Sequence, residues 1–265
     1  MLRLLKAKHG FSIIASIAAS LLILFLFIPL VALFALANIG VLSKAWISDP
    51  VLAREAWLAL IRTIQASLLS SFILLLVGIP TAYLFARKSF SLKTLIESIV
   101  DVPLMIPHAV AGIMVLVAYS RRGLLGFLTS GLGLAVDDSF WGIVAAMMFV
   151  SAPIAIDTIR VAIESIDPVL EMVARSLGAS QFRVFMTITL PLSLRGIATG
   201  FILSWARSIS EVGAILIVAY YPKTINVLVM EWFNTYGLSY AVALSIPLVL
   251  MSIALFIAVR LVLRK

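Results

Sequence analysis

The chain has 265 residues, of which 63% are hydrophobic and only 12% are charged, and its formal net charge is +8. This composition excludes an ordinary soluble globular domain and favours an all-α integral membrane protein, which we treat as a single domain, 1–265. The absence of cysteine excludes disulfides, thiolate metal sites and cysteine catalysis.

Long apolar segments follow one another along the chain and predict about six transmembrane helices. They are Phe11–Asn38, Ile64–Ala86, Pro103–Tyr119, Trp141–Ile156, Leu190–Tyr220 and Leu238–Val262. The third and fourth are short for a hydrocarbon layer of about 30 Å. We expect Lys44–Arg62, which is rich in Trp and charge, to form an external connection.

Basic residues accumulate in alternate connections and so predict the orientation of the chain. They are dense before the first span, around residues 87–93, between residues 160 and 195, and at the C-terminal end. The positive-inside rule then places both termini and the connection between the fourth and fifth spans in the cytoplasm, as in a multi-pass protein of the cell membrane. The net charge mostly reflects this topology, so we expect membrane lipid and no nucleic acid as a partner.

The connection at 167–190 is polar and carries helix start and stop signals. Asp167 is a good N-cap, Pro168 a good first helical residue, and Gly178 is placed to end the helix in the left-handed conformation. Ser180 can cap a second short helix that runs to about Ile188. One face of the first helix is apolar, with Val169, Met172, Val173 and Leu177. These features indicate a docking device for something outside the membrane, and the alternative is an ordinary amphipathic loop.

This connection resembles the cytoplasmic signature of permease subunits of binding-protein-dependent ABC importers: E-A-A, three residues, Gly, nine residues, then Ile-x-Leu-Pro. Nine residues follow Gly178, and then come Ile188, Thr189, Leu190 and Pro191. The E-A-A positions are occupied by Met172, Val173 and Ala174, and Glu171 stands one residue early. The stretches 78–87, 103–112, 208–214 and 219–224 are similar to the molybdate/tungstate branch of these permeases, which is close to the sulfate permeases.

The resemblance implies a type I ABC importer-like permease fold in which two copies form the pore. Two cytoplasmic ATPase subunits would dock on the loop, and an extracytoplasmic binding protein would deliver a tetrahedral oxyanion, most simply molybdate or tungstate. The implied docking residues are Leu170, Glu171, Met172, Ala174, Arg175, Ser176, Leu177, Gly178 and Ala179. ATP and Mg would be held by the ATPase subunits, because this chain lacks a G-x-x-x-x-G-K-[ST] loop; we expect no bound cofactor and no enzymatic activity of its own.

Other functions remain open from the sequence. The resemblance also fits a permease for sulfate or another small solute. A secondary transporter or channel without ATPases would need several intramembrane acids, of which only Glu211 qualifies, and an intramembrane enzyme would need a polar catalytic cluster. His9 and His108 have no ligand-type residue at metal-binding spacing, so we predict neither a metal site nor a catalytic site.

The fifth apolar segment carries the remaining candidate residues. Arg207 and Glu211 lie four residues apart, so they can pair, and they either line the translocation path or form a structural ion pair. Small residues repeat every four positions on the same segment: Gly196, Gly200, Ser204 and Ser208. Such a stripe permits close helix packing, and we predict contact with a second copy beside the pore; the alternative is packing within the chain.

Overall fold

The computed structural model describes the backbone of residues 2–263 and the side chains of residues 12–257 and 260. Met1, Arg264 and Lys265, the ends of the predicted domain, lie outside the described residues, as do the side chains of the N-terminal Arg3, Lys6, Lys8 and His9. All regular secondary structure in the described part is helical. The helices are α1 (Leu2–Ala35), α2 (Ile39–Ser43), α3 (Pro50–Arg87), α4 (Lys93–Asp101), α5 (His108–Tyr119), α6 (Gly126–Gly131), α7 (Phe140–Glu164), α8 (Pro168–Ser176), α9 (Gln181–Val184), α10 (Leu190–Ile209), α11 (Gly213–Val218), α12 (Ile225–Tyr236) and α13 (Leu238–Leu263). Single π-helical turns, Lys44–Ser48 and Phe185–Thr189, lead into α3 and α10.

Five helical stretches are long and apolar enough to cross a membrane, and a bent pair supplies a sixth, in agreement with the predicted all-α membrane fold. The five stretches are Ser12–Ala35, Pro50–Arg87, Phe140–Glu164, Gln181–Ile209 and Leu238–Ile257. In the bent pair, Lys93–Leu104 and His108–Tyr119 meet at 119°. The third predicted span is therefore a broken one, because Pro107 precedes α5 with an extended backbone.

Two predicted segments differ from the structure in their helical bounds. The predicted external connection Lys44–Arg62 is helical, and from Pro50 onward it is continuous with the second span, because the Asp49 side chain caps α3 and Pro50 opens it. The Asp49 carboxylate accepts from the amides of Val51 and Leu52 at 3.0 and 3.1 Å. The fifth predicted span, Leu190–Tyr220, ends at Ile209; α11 is a separate short helix, and α12 follows where no helix was predicted.

The packed centre of the chain is formed by α3, α7 and α10, with α5 and α11 against the N-terminal half of α7. Hydroxyl groups join the three long helices where they meet. Ser208 donates to Ser151 across 3.0 Å and lies 3.1 Å from the hydroxyl of Ser70, while the Trp205 indole donates to Ser67 at 3.0 Å. Interhelical contacts of this kind hold spans together where apolar burial gives no advantage over lipid.

The first helix stands apart from this packed centre. No part of its apolar window Ser12–Ala35 is buried against the rest of the described chain, whereas 61% of the corresponding window of α7 is buried. Leu30 is one of its few residues near α13.

Candidate coupling loop and membrane-depth charge cluster

The helix α8 forms with the caps that the sequence predicts. The Asp167 carboxylate accepts from the amide of Val169 at 2.9 Å, and Pro168 is the first helical residue. Gly178 has φ +91°, the left-handed conformation that ends the helix. Ser180 accepts from the amide of Arg183 at 3.3 Å, but the second helix continues through a π-helical turn directly into α10.

The apolar face of α8 is open to solvent. Leu177 is 83% exposed and Met172 is 58% exposed, and Phe182 on the next helix is 74% exposed. Apolar side chains grouped in this way are typical of a protein–protein or membrane interaction surface. Of the predicted docking residues, all except Glu171 are exposed or half-buried: Leu170, Met172, Ala174, Arg175, Ser176, Leu177, Gly178 and Ala179.

Glu171 points into the chain, so the prediction that it contacts an ATPase is wrong. Its residue surface is 8% exposed. The carboxylate oxygen Oε1 accepts from Arg87 Nε at 2.9 Å and from Thr189 Oγ1 at 2.8 Å. The helix places Glu171 on the face opposite the apolar stripe, where it can reach the ends of two spans.

Arg87 extends this attachment to a third span. Its Nη2 donates to the carbonyls of Ile163 and Ile166 at 2.9 and 2.7 Å, at and just beyond the C-terminal end of α7. A guanidinium satisfies carbonyls at a helix end and is favoured by the helix dipole there. The cluster formed by Arg87, Glu171 and Thr189, which we call the loop anchor, therefore fixes α8 to the C-terminal ends of α3 and α7 and to the N-terminal end of α10.

A second charged cluster lies where the third and fifth spans are interrupted. Glu211 is fully buried and follows the last turn of α10. Its Oε2 lies 3.0 Å from Arg207 Nη1 and 2.6 Å from His108 Nδ1, and its Oε1 accepts from the amide of Ala214 at 2.8 Å. The predicted pairing of Arg207 and Glu211 is confirmed, and His108, at the first residue of α5, joins them.

The two partners of Glu211 reach outward while the carboxylate does not. The His108 side chain is 50% exposed and that of Arg207 is 20% exposed. Arg207 also lines a groove of about 490 Å³ between α7, α10 and α13. A buried carboxylate at membrane depth is stable only with partners that satisfy both oxygens, and this one has them.

The small-residue stripe packs within the chain, which corrects the prediction that it contacts a second copy. A Cβ on Gly196 would overlap the Cβ of Ala162, and one on Gly200 would meet Ile159 Cγ1 at 2.9 Å. Ser204 and Ser208 are fully buried. The stripe therefore faces α7 of the same chain, because close approach of α7 and α10 requires glycine at these positions.

The sequence interpretation missed several residues of the two clusters. In the sequence, Arg87 contributes only to the basic stretch around residues 87–93, Thr189 only to the Ile-x-Leu-Pro signature, and His108 has no ligand-type residue at metal-binding spacing. The position of Arg87 at the end of an apolar span was the one usable signal, because a guanidinium there can serve carbonyls of neighbouring helices. The contact of His108 with Glu211 spans 103 residues, and only the fold brings them together.

Comparison with known families agrees with this architecture. A family model described as the inner membrane component of binding-protein-dependent transport systems matches residues 75–265. The chain belongs to this family. The anchored, solvent-exposed loop helix and the multi-pass helical fold are thus those of a permease subunit.

Several relatives match most of the chain. The chain is 44% identical over 243 residues to a molybdate/tungstate transport system permease protein of Pyrococcus abyssi, and the match covers 91% of each protein. It is 40% identical to a protein of the same description from Methanocaldococcus jannaschii, over 94% of this chain and 96% of that one. A molybdenum transport system permease protein of Escherichia coli is 40% identical over 62% of this chain and 72% of its own length.

Solved structures share the fold. A bacterial ABC transporter involved in alginate import has a chain that superposes with a TM-score of 0.62 at 20% identity, covering 99% of this chain and 97% of that one. A chain of the MetNI methionine ABC transporter superposes with a TM-score of 0.59 at 18% identity, over 82% and 99% of the two chains. At these identities the likeness establishes the ABC importer transmembrane fold alone.

Proposed function

We propose that this chain is the pore subunit of an ATP-driven importer for a tetrahedral oxyanion, molybdate or tungstate. Relatives that are 40–47% identical over most of the chain carry that description and support the substrate class. Two copies form the pore, and an extracytoplasmic binding protein delivers the anion. The observation that carries the coupling part of the proposal is the exposed apolar face of α8 on a helix that is itself firmly attached to three spans.

Two cytoplasmic ATPase subunits cover that face, one on each copy. ATP and Mg bind the ATPases and not this chain. Nucleotide shifts the equilibrium between two conformations because it binds one of them more tightly. Since Glu171 joins α8 to Arg87 and Thr189, movement of the docked helix is transmitted directly to the cytoplasmic ends of α3 and α10.

In this proposal the cluster of His108, Arg207 and Glu211 borders the translocation path. Ionisable groups at membrane depth face a protein interior or a water-filled cavity, since facing lipid is costly. The partial exposure of Arg207 and His108 supports a path on their side of Glu211. The first helix, α1, has few contacts with the rest of its chain. This supports the presence of a second copy, which offers a surface on which α1 can pack.

The decisive experiment reconstitutes the permease, its ATPase and its binding protein in proteoliposomes and measures ATP-dependent tungstate uptake by metal analysis. We expect uptake that requires all three components. An excess of molybdate should block this uptake, and sulfate at the same concentration should not. Uptake that needs no ATPase would contradict the proposal, and preferential uptake of sulfate would change the proposed substrate to sulfate.

Orientation is tested separately with Ser130→Cys and Ser180→Cys, since the chain has no native cysteine. An impermeant thiol reagent should label the first from outside and not the second.

A further inference from the structure

We propose that a basic pocket at the outer end of α3 is a receiving site on the permease itself for a small, doubly charged tetrahedral oxyanion. The pocket has a volume of about 520 Å³ and is lined by Arg54, Glu55, Leu58, Arg62, Tyr221 and Lys223, with two further residues at the start of α3. The choice of ligand rests on the proposed function, whereas the site rests on the geometry and charge described below.

One wall of the pocket is a single face of α3. Arg54, Leu58 and Arg62 are spaced by four residues, so they lie above one another over two turns, about 12 Å along the helix axis. The opposite wall is the segment between α11 and α12, which contributes Tyr221 and Lys223. Two guanidinium groups thus border one concave space from the same side, and each can present several N–H donors to an anion.

Two carboxylates near the pocket, those of Glu55 and Glu231, are already engaged by another cation. Lys223 is 7% exposed, and its Nζ lies 2.7 Å from both Glu55 Oε1 and Glu231 Oε1. The Tyr220 hydroxyl donates to the second oxygen of Glu231 at 2.8 Å. Burial alone lowers the pKa of Lys223, but the hydrogen bonds that its ammonium donates to Glu231 and Glu55 raise the pKa above the ordinary lysine value, so this site stays an ammonium with two carboxylates.

The two arginines differ from Lys223 in their surroundings. Among the described residues, no ion pair includes Arg54 or Arg62. The group of Arg54, Arg62 and Lys223 against Glu55 and Glu231 has three positive and two negative charges. The excess positive charge lies on the guanidiniums, where a dianion would find two planar donors suited to oxyanion oxygens.

The depth of Arg62 argues against a simple solvated surface. Its neighbour Thr63 is fully buried and accepts from the amide of Ile225 at 2.8 Å, and the helix continues inward as a span. Arg62 is half-buried, and Gln65, one turn further in, is exposed. Polar groups at such a position are stable when they face water or protein rather than lipid, which places this face of α3 on an aqueous vestibule.

A short segment connects the pocket to the deeper charge cluster. Three residues after Lys223, the Asn226 amide donates to the backbone carbonyl of Glu211 at 3.0 Å. An anion held beside Arg54 and Arg62 therefore lies next to the element that supports Glu211 and Arg207. We infer that the pocket holds the anion between its release by the binding protein and its passage inward.

The test measures tungstate binding by the purified permease–ATPase complex in the absence of the binding protein, using equilibrium dialysis and metal analysis. Arg54→Gln with Arg62→Gln removes both guanidiniums. The matched control, Arg121→Gln with Arg122→Gln, removes the same charge from the exposed outer loop before α6. We expect the wild type and the control to bind tungstate and the pocket variant to bind at least 10-fold more weakly.

Arg62→Lys keeps the charge but loses the planar donor pair, and we expect an intermediate affinity from it. Co-purification of the ATPase and the thermal unfolding midpoint establish that each variant is folded. If the double variant is not folded, the single variant Arg54→Gln, at an exposed residue, replaces it in the binding measurement. Equal binding by the pocket variant and the wild type would overturn the proposal. A second result would also overturn the proposal: the wild type binds no free tungstate, and the pocket variant loses affinity for the binding protein. In that case the arginines recognise carboxylates of the binding protein rather than the anion. Tungstate uptake by the wild-type system with its binding protein is scored separately, so failure of this site leaves the proposed function standing.

Discussion

Arg87 at the end of α3 and Glu171 in the middle of α8 form a salt bridge of 2.9 Å in which both side chains are about nine-tenths buried. The same glutamate oxygen also accepts from Thr189 at the start of α10. A charge buried in this way is stable only while its partner remains, so the pair makes the attachment of α8 sensitive to the loss of either member.

Glu171→Gln should uncouple ATP hydrolysis from transport. The amide keeps the size of the side chain but loses the charge that Arg87 requires, at a local cost of about 3 kcal/mol. We expect the ATPase to remain bound through the apolar face, with tungstate uptake per ATP hydrolysed reduced at least 10-fold. Glu164→Gln is the control, since that carboxylate is 48% exposed and lies 3.9 Å from Arg160. Normal uptake per ATP in the Glu171 variant would show that the anchor does not transmit motion.

Gly178→Val should disrupt the end of α8 and weaken ATPase docking. The φ of +91° is unfavourable for a β-branched residue, by about 1–2 kcal/mol, whereas a Cβ there would meet no atom within 4 Å. Steric clash is therefore not a competing explanation. Gly178→Asn should retain ATPase co-purification, because asparagine tolerates positive φ. If the two variants co-purify with equal amounts of ATPase, the backbone conformation at this position is not important for docking.

Gly196→Ala should destabilise the membrane part of a single chain. Its new methyl group would overlap Ala162 Cβ, which the glycine now approaches closely, at a cost of about 1–3 kcal/mol. The exchange of Gly196→Ala together with Ala162→Gly should restore most of the lost thermal stability in detergent. A single variant that unfolds normally but dissociates the assembly would return the stripe to the interface between copies.

The contribution of Lys223 to stability should be constant between about pH 6 and pH 9. Its folded-state pKa is raised relative to the unfolded chain, so the stabilisation is fully present below the unfolded value of about 10.4. It is lost only as the pH rises through the higher folded-state pKa. Lys223→Met should therefore lower the unfolding midpoint by the same amount at pH 6 and at pH 9. A difference that grows steadily across this range would indicate that another group is titrating.

Local signals in the sequence were sufficient for the loop and insufficient for its attachment. Asp167, Pro168 and Gly178 act on the backbone next to them, so their spacing alone defines α8. The burial of Glu171 depends on Arg87, which is 84 residues away, and no periodicity records that contact. The stripe on α10 was recognised correctly as a close-packing surface, but the sequence does not specify which helix packs there.

The interrupted spans show the same limit. Hydropathy reads Leu190–Tyr220 as continuous, because the polar pair at the break, Ser210 and Glu211, is short and is followed by a further apolar stretch. The break is stabilised by hydrogen bonds. Glu211 Oε1 accepts from the amide of Ala214, and the Asn226 side-chain amide donates to the carbonyls of Ile209 and Glu211. Backbone groups freed by a break in a span must find partners, and distant residues provide them.

The detachment of α1 means that this chain does not determine the position of its own first helix. With no buried residue in Ser12–Ala35, the tilt and rotation of that helix depend on lipid and on neighbouring proteins rather than on internal packing. A substitution on its surface should leave the unfolding of residues 39–257 unchanged. The same substitution should alter the contact between α1 and the protein or lipid that lies against it. The position of α1 is therefore best studied in the assembled complex.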